Sequence, residues 1–327
     1  MDKPRILVAQ AIFPETLERL AQHFEVQANQ DDARWSPAEL AERLAGMDGA
    51  LTTGAQRIDA ALLAACPRLR VVANMAVGYN NFDVAAMTAV GVQGTNTPDV
   101  LTETTADFGF ALLMAAARRI TEGERYLRAG QWKDWRYDLL AGSEVHGSTL
   151  GIIGMGRIGQ GIARRAAHGF GMEVLYHNRT RLPPALEAEC KARHVGKDVL
   201  LANADHVVLV LPYTPGNHHT IGAQELARMK PSATLVNIAR GGIVDDAALA
   251  AALREGRLAA AGLDVFEGEP AVHPDLLTLP NVVLTPHIAS ATVATRRAMA
   301  NLAADNLIAF FDGRGPLTPV NQLVCPV

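Results

Sequence analysis

Three glycines constrain this chain more than any other feature. In Leu150-Gly-Ile-Ile-Gly-Met-Gly-Arg-Ile-Gly159 an apolar run ends on Gly154, and Gly156 and Gly159 follow at G-x-G-x-x-G spacing as an amphipathic stretch begins. Gly154 permits a tight turn, Gly156 lets backbone approach a pyrophosphate, and Gly159 lets a helix pack close against the strand it leaves. The free N–H groups and dipole of that helix's first turn then face the phosphate charge. Glycines kept only for packing would show the same spacing, so the weight of the motif comes from its context.

That context is a long α/β pattern. Strands are expected at residues 149–153, 173–177, 206–211, 234–238, 260–265 and 281–285, with helical stretches between them, as in a doubly wound dinucleotide fold. Upstream, apolar runs at 6–9, 24–28, 49–53, 69–75 and 92–95 alternate with amphipathic stretches at 14–23, 37–44, 59–65 and 84–90, the βαβ rhythm of a second parallel sheet. A helix opening near Thr102 and closing near Arg118-Arg119 reads as the hinge between the two. The stretch 291–311 reads as one long helix, which we assign back to the first sheet. The expected organisation is therefore a substrate domain of residues 1–100 and 291–327, with a dinucleotide-binding domain of residues 101–290 inserted in it.

Bulk properties narrow the partners. With 49% hydrophobic and 20% charged residues the chain has the composition of a globular protein, and a net charge of −4 offers no global field for nucleic acid or an anionic membrane. Residues 1–10 lack a secretory pattern and residues 108–117 are too short an apolar run to span a bilayer, so a cytoplasmic location and a small-molecule partner are expected. Cys66, Cys190 and Cys325 are too scattered for a disulfide framework or a Cys-x-x-Cys zinc site, and no metal is expected.

About twenty residues past the glycines, an NAD-selective site would carry an acid for the ribose 2′-hydroxyl. Here the chain reads Tyr176-His-Asn-Arg-Thr-Arg181. Asn178 removes a carboxylate that would repel a 2′-phosphate, while Arg179 and Thr180 offer donors for one; NADPH is expected over a weaker NADH. Arg181 fits a solvated loop as well as it fits the phosphate.

Three further residues stand just past expected strands. Arg240 follows Leu235-Val-Asn-Ile-Ala239, at the crevice where open α/β sheets bind ligands, and its planar fork suits a carboxylate and a neighbouring keto oxygen. His287 follows Val282-Val-Leu-Thr-Pro286 and is the best placed of the ten histidines to donate a proton near neutral pH. Either Glu267 or Glu269 is placed to pair with His287 and favour its charged form, and spacing does not choose between them. His218-His219 has no acidic or cysteine neighbour in sequence and reads as a solvated surface pair.

Taken together, Val77-Gly-Tyr-Asn-Asn-Phe-Asp83, Gly154 to Gly159, Asn237-Ile-Ala-Arg-Gly241, Gly262-Leu-Asp-Val-Phe-Glu-Gly-Glu-Pro270 and Pro286-His-Ile-Ala-Ser-Ala-Thr292 resemble the D-isomer-specific 2-hydroxyacid dehydrogenase family over nearly the whole chain. The resemblance implies a Rossmann NAD(P)-binding domain inserted in a flavodoxin-like substrate domain, both doubly wound α/β. It implies Arg240, Glu269 and His287 as the catalytic triad, which chooses Glu269 over Glu267. Ala76, Val77 and Gly78 would cradle the substrate carboxylate beside Arg240 and His287. Gly154, Met155, Gly156, Arg157, Ile158, Asn178, Arg179, Thr180, Thr105, Leu211, Pro212, Ile238, Asp264 and Ala289 would contact the cofactor.

Val100-Leu-Thr-Glu-Thr104, Ala129-Gly-Gln-Trp132 and Val145-His-Gly-Ser-Thr149 resemble the branch of bacterial glyoxylate/hydroxypyruvate reductases that also reduce 2-ketogluconate. By that resemblance the expected activity is reduction of small 2-oxo acids to D-2-hydroxy acids by a homodimer joined through its nucleotide domain. Leu139 stands where related reductases send a tryptophan into the neighbouring site. Two rivals remain: a phosphoglycerate-type dehydrogenase, whose common long regulatory extension is not seen, and a nucleotide-sensing corepressor-like protein, whose low-complexity arms are not seen either.

Overall fold

The computed structural model describes residues 3–323. It divides into two compact units, Met1–Leu101 with Ala291–Val327, and Thr102–Ser290. Cys325 lies outside the described residues.

The first unit is a five-stranded parallel sheet: β1 (Arg5–Val8), β2 (Glu25–Ala28), β3 (Gly49–Thr52), β4 (Val71–Asn74) and β5 (Gln93–Thr95), in the order β2-β1-β3-β4-β5. That is the flavodoxin-like order. β3 and β4 are buried along their whole length, which is why their sequences read as apolar runs rather than alternations. One face holds Leu7, Ala50, Val72, Leu62 and Met87. On the other, Ile6, Val8, Leu51 and Val71 meet Ala303, Ala304, Leu307 and Ile308 of the helix Val293–Phe311. The small alanines let that helix lie close to the strands, and Thr292 caps it by accepting from the Thr295 N–H at 3.1 Å.

The segment after this helix is fastened by Asn321. Its Oδ1 accepts from Gly94 N–H and from Gln93 Nε2, both at 2.8 Å, and its Nδ2 donates to Val92 O at 3.0 Å and to Thr88 Oγ1 at 3.1 Å.

The second unit is a seven-stranded parallel sheet: β6 (Thr149–Ile153), β7 (Glu173–His177), β8 (Ala192–His194), β9 (His206–Leu209), β10 (Thr234–Asn237), β11 (Ala260–Leu263) and β12 (Val282–Leu284). The order β12-β11-β10-β9-β6-β7-β8 reverses between β6 and β9, so the crevice for a ligand opens at the carboxyl end of β6. Six of these strands match those expected. The seventh, β8, is three residues of Ala-Arg-His at the sheet edge, too short and too polar to announce itself by an apolar run. The helix Thr102–Ala117 buries Ala106, Phe110, Leu113 and Ala117 against Leu150, Ile152, Val208 and Val236 of the strands. No helix among the described residues is long and apolar enough to cross a membrane.

Because Asn321 fills hydrogen bonds of the buried Val92, Gln93 and Gly94, Asn321→Ala leaves donors and an acceptor at the start of β5 unpaired. The expected loss is roughly 1–3 kcal/mol in urea unfolding, the scale of one or two such groups; a loss within error would show that the terminal segment contributes nothing to the first sheet.

Candidate active site

At the end of β6 the chain turns on Gly154, whose φ is +100°, a conformation that L side chains rarely adopt. A Cβ there would also lie 2.6 Å from the Val210 carbonyl of the neighbouring strand's exit. Gly159 is forced by packing instead: a Cβ would stand 2.5 Å from Gly154 O. The helix Arg157–Arg164 begins at Gly156, and no side chain caps its first turn. This is the geometry of an anion site, and it is where the chain can hold a dinucleotide pyrophosphate.

The loop after β7 divides the expected contacts. Asn178 Oδ1 accepts the Met155 N–H at 2.7 Å, so Asn178 pins the glycine turn and the Met155 N–H is occupied from inside the protein. The Met155 side chain itself is fully buried in the core. Arg181 is the solvated-loop alternative resolved by geometry: it forms a two-pronged pair with Glu187, Nε to Oε1 at 2.8 Å and Nη2 to Oε2 at 2.7 Å. Tyr176 Oη donates to the same carboxylate at 2.6 Å. Arg181 first, then Tyr176, hold the Glu187 carboxyl down at about 2. Arg179 and Thr180 are exposed.

Three strand ends supply the charged centre. At the end of β10, Asn237 is buried and ties the next turn from within, its Oδ1 accepting Ala239 N–H at 3.0 Å and its Nδ2 donating to Arg240 O at 3.2 Å. Arg240 Nη1 donates to Ala239 O at 2.6 Å. Burial lowers the proton affinity of this guanidinium and the nearby Glu269 carboxylate opposes that shift; an arginine stays charged through such a change.

His287 Nδ1 and Glu269 Oε2 lie 2.8 Å apart, and Glu269 Oε1 accepts Phe266 N–H at 3.0 Å. Burial pushes the Glu269 carboxyl up, but the bond to His287, the His287 charge, the Phe266 N–H and the Arg240 charge together leave it below its usual range. With Nδ1 engaged, Nε2 of the half-exposed imidazole is the nitrogen left to meet a reacting oxygen. Glu267, the competitor in sequence, turns elsewhere: its Oε2 lies 2.9 Å from His219 Nε2.

Asp264, at the end of β11, is wholly buried and its carboxylate builds the turn that carries His287. Oδ1 accepts from Thr285 Oγ1 at 2.7 Å and Ile288 N–H at 2.8 Å, and Oδ2 from Ala289 N–H at 2.9 Å. Between those anchors His287 sits at φ +54°, in the left-handed region, a strain that persists only because its neighbours are held. The positioning work of Asn237, Thr285 and Asp264 is not visible in residue spacing. The one hint is that Asn237 and Asp264 interrupt otherwise apolar strand ends.

Gly154 to Ile158, Asn178 to Thr180, Leu211 and Pro212, Ile238, and Asp264 leave β6, β7, β9, β10 and β11 in turn, so all stand at one edge of the sheet. Ile238 is buried there, as is Thr105, which lies on the helix Thr102–Ala117. In the first unit the loop after β4 has its carbonyls tied inward: Ala76 O accepts Thr97 N–H at 2.9 Å, Val77 O accepts Asn96 Nδ2 at 2.8 Å and Gly78 O accepts Asn74 Nδ2 at 3.0 Å.

His218 is exposed and His219 partly so, as a surface pair would be, but the pair is not without acidic partners. The fold brings Glu267 and Asp245 to them from other loops, with His219 Nδ1 3.9 Å from Asp245 Oδ2 and His218 Nε2 3.7 Å from Glu267 Oε1.

A glycine turn at the switch point of a doubly wound sheet, with an arginine, a histidine and a carboxylate at the same edge, defines an NAD(P)-dependent oxidoreductase. Residues 110–289 match the D-isomer specific 2-hydroxyacid dehydrogenase NAD binding domain. The chain is 49% identical to a glyoxylate reductase of Thermococcus onnurineus, covering 99% of this chain and 98% of that one, and equally identical to one from Korarchaeum cryptofilum over the same shares. A solved structure of an NADPH-dependent glyoxylate/hydroxypyruvate reductase from Sinorhizobium meliloti, in complex with NADP and malonate, superposes with a TM-score of 0.87 at 37% identity, over 100% of both chains. The protein belongs to the D-isomer specific 2-hydroxyacid dehydrogenase family and is of the glyoxylate reductase type.

Asp264→Asn keeps the shape of the turn but sets an NH2 group against the Ala289 N–H. Turnover is expected to fall on the order of 100-fold through misplacement of His287, with an unchanged circular dichroism spectrum. Wild-type turnover in a folded variant would remove the positioning role from Asp264.

Proposed function

We propose that this chain reduces small 2-oxo acids to D-2-hydroxy acids, taking glyoxylate, hydroxypyruvate and 2-ketogluconate, with NADPH preferred over NADH. The observation that carries the reading is the Glu269–His287 pair with the Arg240 charge close enough to act on the same carboxylate. The bound nicotinamide supplies the hydride to C2 of the substrate. The chain's own residues do the rest. Arg240 binds the carboxylate and polarises the keto oxygen, His287 gives the proton to the oxygen as it becomes an alkoxide, and Glu269 keeps the imidazole oriented. In the first unit, the peptide N–H groups of Ala76, Val77 and Gly78 are the partners we assign to a carboxylate, since the carbonyls of the same residues are already turned inward.

The cofactor preference rests on the loop after β7. Asn178 leaves no carboxylate at the ribose, and the exposed Arg179 and Thr180 suit a 2′-phosphate. The solved relative that holds NADP points the same way. Arg157, Ile158, Thr105, Leu211, Pro212, Ile238, Asp264 and Ala289 are the further contacts we assign to the dinucleotide. A homodimer through the nucleotide domain is supported by a run of exposed apolar side chains on the second unit, Ile120, Leu127, Trp132, Trp135 and Tyr137.

Arg240→Ala and His287→Ala are each expected to lower turnover with glyoxylate at least ~100-fold, the scale for losing an oxyanion donor or a general acid. Near-normal rates in either would refute its assigned part.

Arg179→Ala is expected to weaken NADPH use by about 1.5–3 kcal/mol, as for a hydrogen bond to a charged group, and to spare NADH. The check is kcat/KM for both dinucleotides, and an unchanged ratio would end the argument for NADPH.

A further inference from the structure

We infer that His218, His219 and Glu267 form a binding site for a divalent transition-metal ion of the zinc class, apart from the Arg240–Glu269–His287 centre. The three residues come from two loops, one after β9 and one after β11, and their ligating atoms lie within 4.8 Å of one another. In a tetrahedral site with bonds of about 2.0–2.2 Å, ligand atoms stand about 3.3 Å apart. The His218 Nε2 to Glu267 Oε1 separation is 3.7 Å and that of His219 Nε2 to Glu267 Oε2 is 2.9 Å, so an ion needs only small adjustments to replace the direct contact.

Polar groups also face the second nitrogens. His218 Nδ1 lies 3.3 Å from Tyr213 Oη, within hydrogen-bond reach, while the Asp245 carboxylate stands 3.9 Å from His219 Nδ1, an ion-pair separation longer than a hydrogen bond. Metal-binding histidines characteristically give the other ring N–H to a carboxylate or similar acceptor, which fixes the tautomer and aims the free lone pair at the ion. Both Nε2 atoms face the Glu267 carboxylate, at 3.7 Å for His218 and 2.9 Å for His219. The imidazole rings are stacked with centroids 3.8 Å apart, and the His219 N–H donates to Gly242 O at 2.7 Å, so the pair is held from behind.

Two nitrogens and one carboxylate suit zinc, cobalt or nickel and not magnesium or calcium, which take oxygen ligands. His218 and Glu267 are exposed, so an ion has access and a water can complete its shell. A bound ion would fasten the loop after β9, which carries Leu211 and Pro212, to the loop that leads to Glu269.

The test is a calorimetric titration of the full-length, chelator-stripped protein with Zn2+. One ion per chain is expected, with a rise in Tm and no heat from Mg2+. His218→Ala and His219→Ala should each weaken Zn2+ binding by roughly 100-fold and Asp245→Asn by about 10-fold, the range seen when metal ligands lose support. Co2+ should give the visible absorption of a four-coordinate N/O site, lost in His219→Ala. Circular dichroism confirms that each variant is folded, and Asp245→Asn retains a side chain able to cap the following helix. Absence of Zn2+ binding in the wild type, or equal binding in folded His218→Ala, would overturn the assignment.

Discussion

All seven strands of the second unit run in one direction, and the site follows from that constraint. Every strand delivers its last residue to the same edge, and the reversal of order between β6 and β9 leaves a gap there that no helix connection covers. Parallel strands buried on both faces are mostly apolar along their length, so most of the chemistry falls at the positions where each strand stops. Arg240, Asp264 and His287 are such positions, and Gly154 is the point where β6 must turn away to leave room for a ligand.

Placing charge at that edge creates an energetic problem that the protein resolves by pairing. Burial alone would push the Arg240 guanidinium down and the Glu269 carboxyl up, each toward its neutral form. The hydrogen bond to His287 and the His287 charge, then the Phe266 N–H and least of all the Arg240 charge, bring the Glu269 carboxyl below its usual range. A chain of opposite charges is thus kept ready in partly desolvated surroundings, where it acts on a polarised carbonyl more strongly than it would in water. Asp264 serves the same end without touching the pair. Its buried carboxylate finds three donors in the turn after β12, and the turn so fixed holds His287 in a backbone conformation it would not adopt alone.

Much of this was legible beforehand because the signals are local. Apolar runs of four or five residues mark buried strands, and the glycine spacing marks a strand-to-helix turn whatever surrounds it. The positions just past strands pick out Arg240 and His287. β8 escaped because an edge strand of three residues buries too little to need an apolar sequence. Residue spacing also left Glu267 and Glu269 equivalent, two residues apart in one loop. In the structure Glu269 turns to His287 and Glu267 to His219.

The sequence by itself determined the class of fold, the turn that meets a dinucleotide phosphate, and the side chains available at the strand ends, because periodicity and glycine conformation act over a few residues. Tertiary structure decided which of those side chains meet. Arg181 went to Glu187, Asn178 to the glycine turn, and His218 and His219 to acids 26 to 49 positions away. The Arg181 pair is local, six residues apart, but the others depend on distances between segments separated in the chain, which exist only once the sheet has set its strands side by side.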